Sequence, residues 1–445
     1  MAQQYIRPSW SVLATWAVVL QTMAPARAQF PEAAEYSNII TSPINPNITI
    51  AYKEPAAGTC NTVFNNQKQY TGYIGIPPYT LAPIQQNYSI NTFFWFFEAR
   101  QDPETAPLTI WLNGGPGSSS MIGLFQESGP CEVVQLADGS YGTSPRVWGW
   151  DRSSNILFID QPAQVGFSYD TLTNASYDLL RGTYEPPTST PVGQPAYTFL
   201  NGTFGSFDSW GTSNTTETAA HATWHFLQSF LAAFPQYNPG VRPNSTNIST
   251  AGVNLFAESY GGKYGPVFAT FFEEQNAKRE NGSLSMRDTL DISLASVGII
   301  NGAVDDMIQG YWNSIYAFNN TYGIRAFSQT DELNGLGLYS GINGCHDSIV
   351  ACRSAANRTD PDNEGDVDAT NKLCLAALVA CNRIDVLFQQ SGYNAYDIRV
   401  KDPSPNPPLA YKEYLNSATV QAAVGARVNY TESNLVVQSA FVSSK

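Results

Sequence analysis

Basic residues are scarce in this chain. Its 445 residues hold 23 Lys and Arg against 37 Asp and Glu, a formal net charge of −14. Nucleic acid and anionic membrane surfaces call for a basic face, so neither is expected as a partner. Histidine is scarcer still, with three in all at His221, His225 and His346. The segment His221-Ala222-Thr223-Trp224-His225 lacks the Glu of H-E-x-x-H. The cysteines include no C-x-x-C pair, so no metal and no cofactor is expected. Past the N-terminus, no uncharged apolar run is long enough to cross a bilayer. Charged residues make up only 13% of the chain, beside 43% apolar and 13% aromatic, which excludes a disordered or fibrous protein. A chain of this length can bury a large core, or one core plus an inserted subdomain.

The N-terminus reads as a secretory signal over residues 1–28. Arg7 supplies the positive end, residues 12–20 a short apolar run, and Ala26-Arg27-Ala28 a small-residue cleavage site. Removing it takes away two Arg and no acid, so the mature charge is −14 − 2 = −16. The product is expected to be secreted or vacuolar. N-glycosylation sequons agree, at Asn47, Asn87, Asn174, Asn201, Asn214, Asn244, Asn247, Asn281, Asn319, Asn357 and Asn429. Six cysteines in a secreted chain fit three disulfides, with 15 possible pairings. Cys345 and Cys352 are spaced seven apart, as are Cys374 and Cys381. Nested bonds 345–381 and 352–374 would staple two antiparallel segments, leaving Cys60 for Cys131.

Residues 29–90 are rich in Pro, Asn and Thr and read as an irregular arm with a short strand near 71–76. Apolar strands follow at 92–98, 108–112, 155–160, 253–257 and 294–300, most of them running into Gly, Asn or Pro turns. Near-continuous apolar strands of this kind fit a buried, mostly parallel sheet. A helix is expected over 216–234, closed by Pro235. Residues 171–210 read as a long surface loop. Residues 305–398 break the strand rhythm, carry four cysteines and read as an inserted helical cap. The expected division is therefore a first part of the core at 29–304, the cap at 305–398 and a return to the core at 399–445.

Ala257-Glu258-Ser259-Tyr260-Gly261 follows a strand and precedes a helix-capable run, the setting of a nucleophile elbow. Two further segments precede it in order, Trp111-Leu112-Asn113-Gly114-Gly115-Pro116-Gly117-Ser118 and then Asp160-Gln161-Pro162 with Gly166-Phe167-Ser168-Tyr169, and the elbow itself continues as Glu258-Ser259-Tyr260-Gly261-Gly262-Lys263-Tyr264. Together with Ile300-Asn301-Gly302, Tyr396-Asp397-Ile398-Arg399 and Tyr414-Leu415-Asn416, these segments resemble the serine carboxypeptidase family from about residue 50 onward.

The resemblance implies an α/β-hydrolase fold that removes single residues from the free C-terminus of peptides and proteins. Ser259 would attack the scissile carbonyl and form an acyl-enzyme. The backbone N–H groups of Gly115 and Tyr260 would stabilise the oxyanion. The substrate's α-carboxylate would be held by Trp111, Asn113, Glu127 and Glu258. A carboxyl group donates to a carboxylate only when protonated, so activity is expected to be best in acid. The same fold could also pass the acyl group to an alcohol or amine. The family's catalytic Asp and His lie beyond the segment resembling residues 414–441, and no residue up to Lys445 matches either. The expectation is a chain lacking the last strands of its sheet, with a catalytically incomplete homologue as the alternative. Ser118 and Lys263 stand where the family commonly has Cys and His.

Overall fold

The computed structural model describes residues 30–443, apart from residues 32, 179, 195–197, 242–251 and 404–409. The expected signal segment and the sequons at Asn244 and Asn247 lie outside the described residues.

The strands in chain order are β1 (Asn38–Thr41), β2 (Thr49–Lys53), β3 (Gln69–Ile76), β4 (Ile90–Phe97), β5 (Leu108–Leu112), β6 (Cys131–Gln135), β7 (Tyr141–Pro145), β8 (Asn155–Ile159), β9 (Thr173–Asp178), β10 (Thr183–Glu185), β11 (Phe199–Phe204), β12 (Val253–Glu258) and β13 (Leu294–Ile300). Eight of them form the central sheet in the order β1-β2-β3-β4-β8-β5-β12-β13. The half that carries the site, β8-β5-β12-β13, is parallel, and the other half is antiparallel. The helices are α1 (Thr216–Ala233), α2 (Gly261–Glu280), α3 (Asp306–Phe318), α4 (Gln329–Ser340), α5 (Cys345–Thr359), α6 (Asp368–Gln390), α7 (Ala410–Leu415), α8 (Ala418–Val424) and α9 (Leu435–Ser443).

Strand β4 shows why the centre reads as one long apolar run. Its Phe94 and Phe96 pack toward Phe226 and Phe230 of α1. The alternate residues Phe93, Trp95 and Phe97 point to the opposite core with Trp111, Phe158 and Tyr414. A strand buried on both faces needs no polar alternation. Helix α1 begins with a reciprocal cap, in which the Thr215 hydroxyl accepts from the Thr218 amide and the Thr218 side chain returns to the Thr215 amide.

Three expectations are corrected. The N-terminal arm is not irregular, since β1, β2 and β3 extend the sheet in antiparallel register. Residues 171–210 are not a loop: β10-β9-β11 form a separate three-stranded sheet. Stacking of Tyr184 on Tyr177 (4.1 Å) and on Phe207 (3.5 Å) holds that sheet together among residues whose Thr, Gly and Pro content suggested coil. The sequon at Asn429 is buried, 2% exposed, and its Oδ1 accepts the Thr203 amide at 2.9 Å, so this fold leaves no room for a glycan there.

Disulfides join Cys60 to Cys131, Cys345 to Cys381 and Cys352 to Cys374. The latter two lock α5 to α6 within the helical segment α3–α6. By length and composition α6 could cross a membrane, with a mean hydropathy of 1.3 along its most apolar stretch. It is instead stapled twice to α5. Strand β13 is the edge of the sheet among the described residues, and its Val297 and Ile299 are each 42% exposed.

Candidate active site

Ser259 sits between the end of β12 and the start of α2 with a φ of +60°. A left-handed serine is uncommon and needs support from its surroundings. Its amide donates to the Ile300 carbonyl at 2.9 Å, and its own carbonyl accepts from Gly262 (2.9 Å) and Ala303 (2.8 Å). The elbow is thus pinned to the exit of β13. A Cβ on Gly261 would lie 2.7 Å from the Ala257 Cβ, and one on Gly262 would lie 2.8 Å from the Ala303 backbone. Ala257 therefore fits where a glycine is usual, whereas Gly261 and Gly262 have no room to grow.

The Gly-Gly loop after β5 rests directly on this elbow. A Cβ on Gly114 would be 2.3 Å from the Tyr260 nitrogen and 2.5 Å from the Glu258 carbonyl oxygen. Gly115 follows with a φ of +105°. The two expected oxyanion donors, Gly115 and Tyr260, thereby come from segments in van der Waals contact. The loop is braced from outside by the segment before α9. Asn434 donates its amide to the Gly117 carbonyl at 3.0 Å, Ser119 donates its amide to the Glu432 carbonyl at 2.9 Å, and the Ser118 and Ser433 hydroxyls meet at 3.1 Å. The Tyr260 hydroxyl lies 3.2 Å from the Thr216 hydroxyl at the start of α1.

Asn113 is the hub of the expected carboxylate site. Its Nδ2 donates to Glu258 Oε2 at 2.5 Å, and its Oδ1 accepts from the Trp111 indole (2.8 Å) and the Gly123 amide (3.1 Å). Trp111 is 1% exposed and its single N–H is already given to Asn113. It therefore orients the amide and does not itself face a ligand. Glu127 ends a single π turn, Gly123–Glu127, closed by the Ser128 amide on the Gly123 carbonyl at 2.8 Å. Its carboxyl borders solvent on one side and meets Glu258 on the other. Desolvation comes first, with the Glu258 charge second, in pushing the Glu127 carboxyl up to about 8. Glu258 is raised as well, chiefly by burial. The Arg146 guanidinium opposes this weakly while gripping the Phe125 carbonyl at 2.7 Å and the Leu124 carbonyl at 3.4 Å. It fixes the turn that aims Glu127.

The three histidines lie elsewhere. The His221 ring packs on Phe271 at 4.2 Å, and His225 sits against Trp224 at 4.9 Å. Burial lowers both to about 4, so they are neutral over most of the pH range. His346 is on α5, 3.5 Å from Asp347. Among the described residues none of them hydrogen-bonds Ser259, and no His, Cys, Asp and Glu cluster of metal-binding size is found.

Comparison with known proteins now decides the family. The family model described as serine carboxypeptidase matches residues 60–444. The chain belongs to the serine carboxypeptidase family. It is 40% identical over 430 residues to Carboxypeptidase S1 homolog A of Arthroderma otae, covering 96% of this chain and 64% of that protein. It is 34% identical over 378 residues to Carboxypeptidase S1 of Penicillium janthinellum, covering 84% of this chain and 70% of that one. The chain thus spans a little under two thirds of the length of its more similar curated relatives. Among solved structures, Kex1(delta)p, a prohormone-processing carboxypeptidase from Saccharomyces cerevisiae, superposes with a TM-score of 0.57 at 20% identity. That match covers 88% of this chain and 72% of the other and shows the α/β-hydrolase fold.

Arg146 and residues 431–434 help to build the site and gave no signal in the sequence of this carboxypeptidase relative, while Lys263 stood in the elbow motif without showing its contacts. Arg146 and the segment 431–434 act across long sequence separations. Lys263 donates to the Ala303 carbonyl at 3.1 Å, lies 3.9 Å from Asp306 and stands 5.3 Å over the Tyr260 ring, tying the elbow to the start of the helical segment.

Proposed function

We propose that this protein is a serine-type carboxypeptidase that removes C-terminal amino acids from peptides or proteins, working best in acid. The observation that carries this reading is the register of the site. Glu258, a member of the expected carboxylate site, is the residue immediately before Ser259. A ligand carboxylate held by Asn113, Glu127 and Glu258 therefore lies about one residue's reach from the nucleophile. That is the separation between a peptide's terminal carboxylate and its last amide carbonyl.

Ser259 attacks that carbonyl, and the N–H groups of Gly115 and Tyr260 receive the developing oxyanion. Losing one such donor typically lowers the rate about 10²–10³-fold. The amine of the terminal residue leaves and an acyl-enzyme remains for water to open. Glu127 and Glu258 contribute as donors only while they hold a proton, which their crowding and burial favour. The serine proton needs a base, and among the described residues none is hydrogen-bonded to Ser259.

Passage through the secretory pathway, to the medium or a vacuole, is supported by the three disulfides, which persist in oxidising compartments. The acidic composition speaks against nucleic acid and anionic membranes as partners.

The cluster of Asn113, Glu127 and Glu258 can hold a carboxylate without any step at Ser259, which leaves a second reading, a protein that binds C-terminal carboxylates without cleaving them. Incubating the native protein between about pH 6 and 7, where the Glu127 carboxyl keeps its proton, with an N-blocked dipeptide and its C-terminal amide separates the two. The proposal expects release of the terminal amino acid from the free acid only. Binding of the acid without release selects the second reading, and equal cleavage of acid and amide refutes both.

A further inference from the structure

The loop carrying the Gly115 donor has a second, internal anchor. Asp160, the residue after β8, is fully buried, with none of its surface exposed. Its Oδ1 accepts the Ser119 hydroxyl at 2.6 Å and the Ser120 amide at 2.9 Å, while its Oδ2 accepts the Phe167 amide at 3.0 Å. Its own amide donates to the Phe93 carbonyl at 3.0 Å, and its carbonyl accepts the Ser168 hydroxyl at 2.6 Å. The backbone of Asp160 thus ties the residue to the central strand β4. The neighbouring Ser120 hydroxyl continues the chain of contacts by donating to the Ile159 carbonyl at 2.6 Å and accepting the Asn113 amide at 3.1 Å. Gly166, with a φ of +59°, is required beside it, because a Cβ there would fall 2.0 Å from Oδ2.

Every neighbour that meets this carboxylate is a donor. An unpaired buried carboxylate would be costly, and a protonated one would aim its own hydrogen at donors. Among the described residues no arginine or lysine is bonded to it, so its charge is balanced by the donors of the loop folded around it. We propose that Asp160 is a positioning residue for the proposed reaction: in its ionised form it clamps Ser119 and Ser120 and so holds the Gly114–Gly117 loop, with its oxyanion donor, against the elbow. This inference rests on the serine reading of the site.

Burial pushes the Asp160 carboxyl up to about 6 against the pull of its donors, Ser119 first among them. The titratable group facing it from the segment before α9 is Tyr430, itself raised well above the usual range by burial and so neutral. Protonation of Asp160 in acid would release the clamp. The Glu127 and Glu258 pair has the opposite requirement, because it must keep its protons. The site then works within a window bounded below by Asp160 and above by Glu127, which places its optimum in mild acid.

The test compares the full chain with its Asp160→Asn and Ser119→Ala variants. Hydrogen exchange followed by mass spectrometry reads the loop directly, and the rate of Ser259 labelling by a fluorophosphonate reads the oxyanion donors. Binding of a peptide with a free C-terminus reads the carboxylate site. Asp160→Asn places an amide donor among donors, so faster exchange confined to residues 113–121 is expected. Labelling should slow at least about tenfold, since a displaced oxyanion donor costs up to about 10²–10³. Peptide binding should change little. Ser119→Ala keeps the fold's backbone bonds but removes one donor, so the acid limb of the labelling profile should move to higher pH. Unchanged exchange in folded variants overturns the proposal, as does a uniform loss of labelling and binding with no shift of the acid limb. If Asp160→Asn does not fold, Ser119→Ala alone decides. If the unmodified chain is not labelled, the serine reading fails, while hydrogen exchange still decides whether Asp160 holds the loop.

Discussion

The protonated glutamate pair gives the sharpest prediction. Consider Glu127→Gln, which keeps a donor and an acceptor in place but cannot ionise. In the unmodified protein the Glu127 carboxyl is raised to about 8, first by desolvation and then by Glu258. It is therefore an acid held in its neutral form, and a ligand carboxylate binds while that proton is present. Binding is retained below about pH 8 and lost as pH rises through it. One required proton means a tenfold loss per pH unit above the midpoint, so affinity at pH 9 should be about tenfold below that at pH 6 to 7. Glu127→Gln should bind within a few-fold of the original protein in acid and lose most of this fall, any remaining step belonging to Glu258. The assay is isothermal titration with a non-cleavable peptide bearing a free C-terminus, run in two buffers of different ionisation enthalpy to count protons. A flat affinity from pH 6 to 9 in the unmodified protein would refute the reasoning. So would a variant that falls as steeply as its parent, or a C-terminal amide that binds as well as the acid.

Other consequences of the structure can be checked separately. Gly114→Ala would push a methyl to 2.3 Å from the Tyr260 nitrogen, so it should cost about 1–3 kcal/mol by denaturant titration and abolish Ser259 reactivity. Replacing Cys352 and Cys374 by Ser opens a bond that closes 22 residues, with an expected loss of about 3 kcal/mol seen as a lower midpoint for the helical segment. Glycopeptide mapping should find Asn429 bare while exposed acceptors such as Asn281 and Asn319 are occupied. A glycan at Asn429 would contradict its bond to Thr203.

Much of the parallel half of the sheet was legible because its strands are short apolar runs, fully buried in β5 and β8, half-buried in β12 and still apolar in the exposed edge strand β13. Residues 108–112, 155–159, 253–258 and 294–300 are short apolar runs bounded by turn residues, and α1 carries apolar spacing closed by Pro235. The antiparallel half was harder. Strand β1 has every residue exposed to solvent and reads Asn-Ile-Ile-Thr, with no pattern to separate it from coil. The small sheet β9–β11 depends on Tyr184 stacking between Tyr177 and Phe207, contacts that no local period reveals. At the site, Ser259, Gly115 and Glu258 stood out through motif context. The bonds that support them did not. Asp160 reaches Ser119 across 41 residues, and Asn434 reaches Gly117 across more than 300, so only the fold shows these bonds. The resemblance implies Trp111 as a ligand contact, whereas in the fold its one N–H is spent on Asn113.

The most direct test of the central claim is to treat the native protein with a fluorophosphonate across pH 4 to 8 and map the adduct by peptide mass spectrometry. The account predicts a single adduct on Ser259, absent from Ser259→Ala and suppressed by a peptide with a free C-terminus but not by its amide. No adduct at any pH, or an adduct on a different serine, would contradict it.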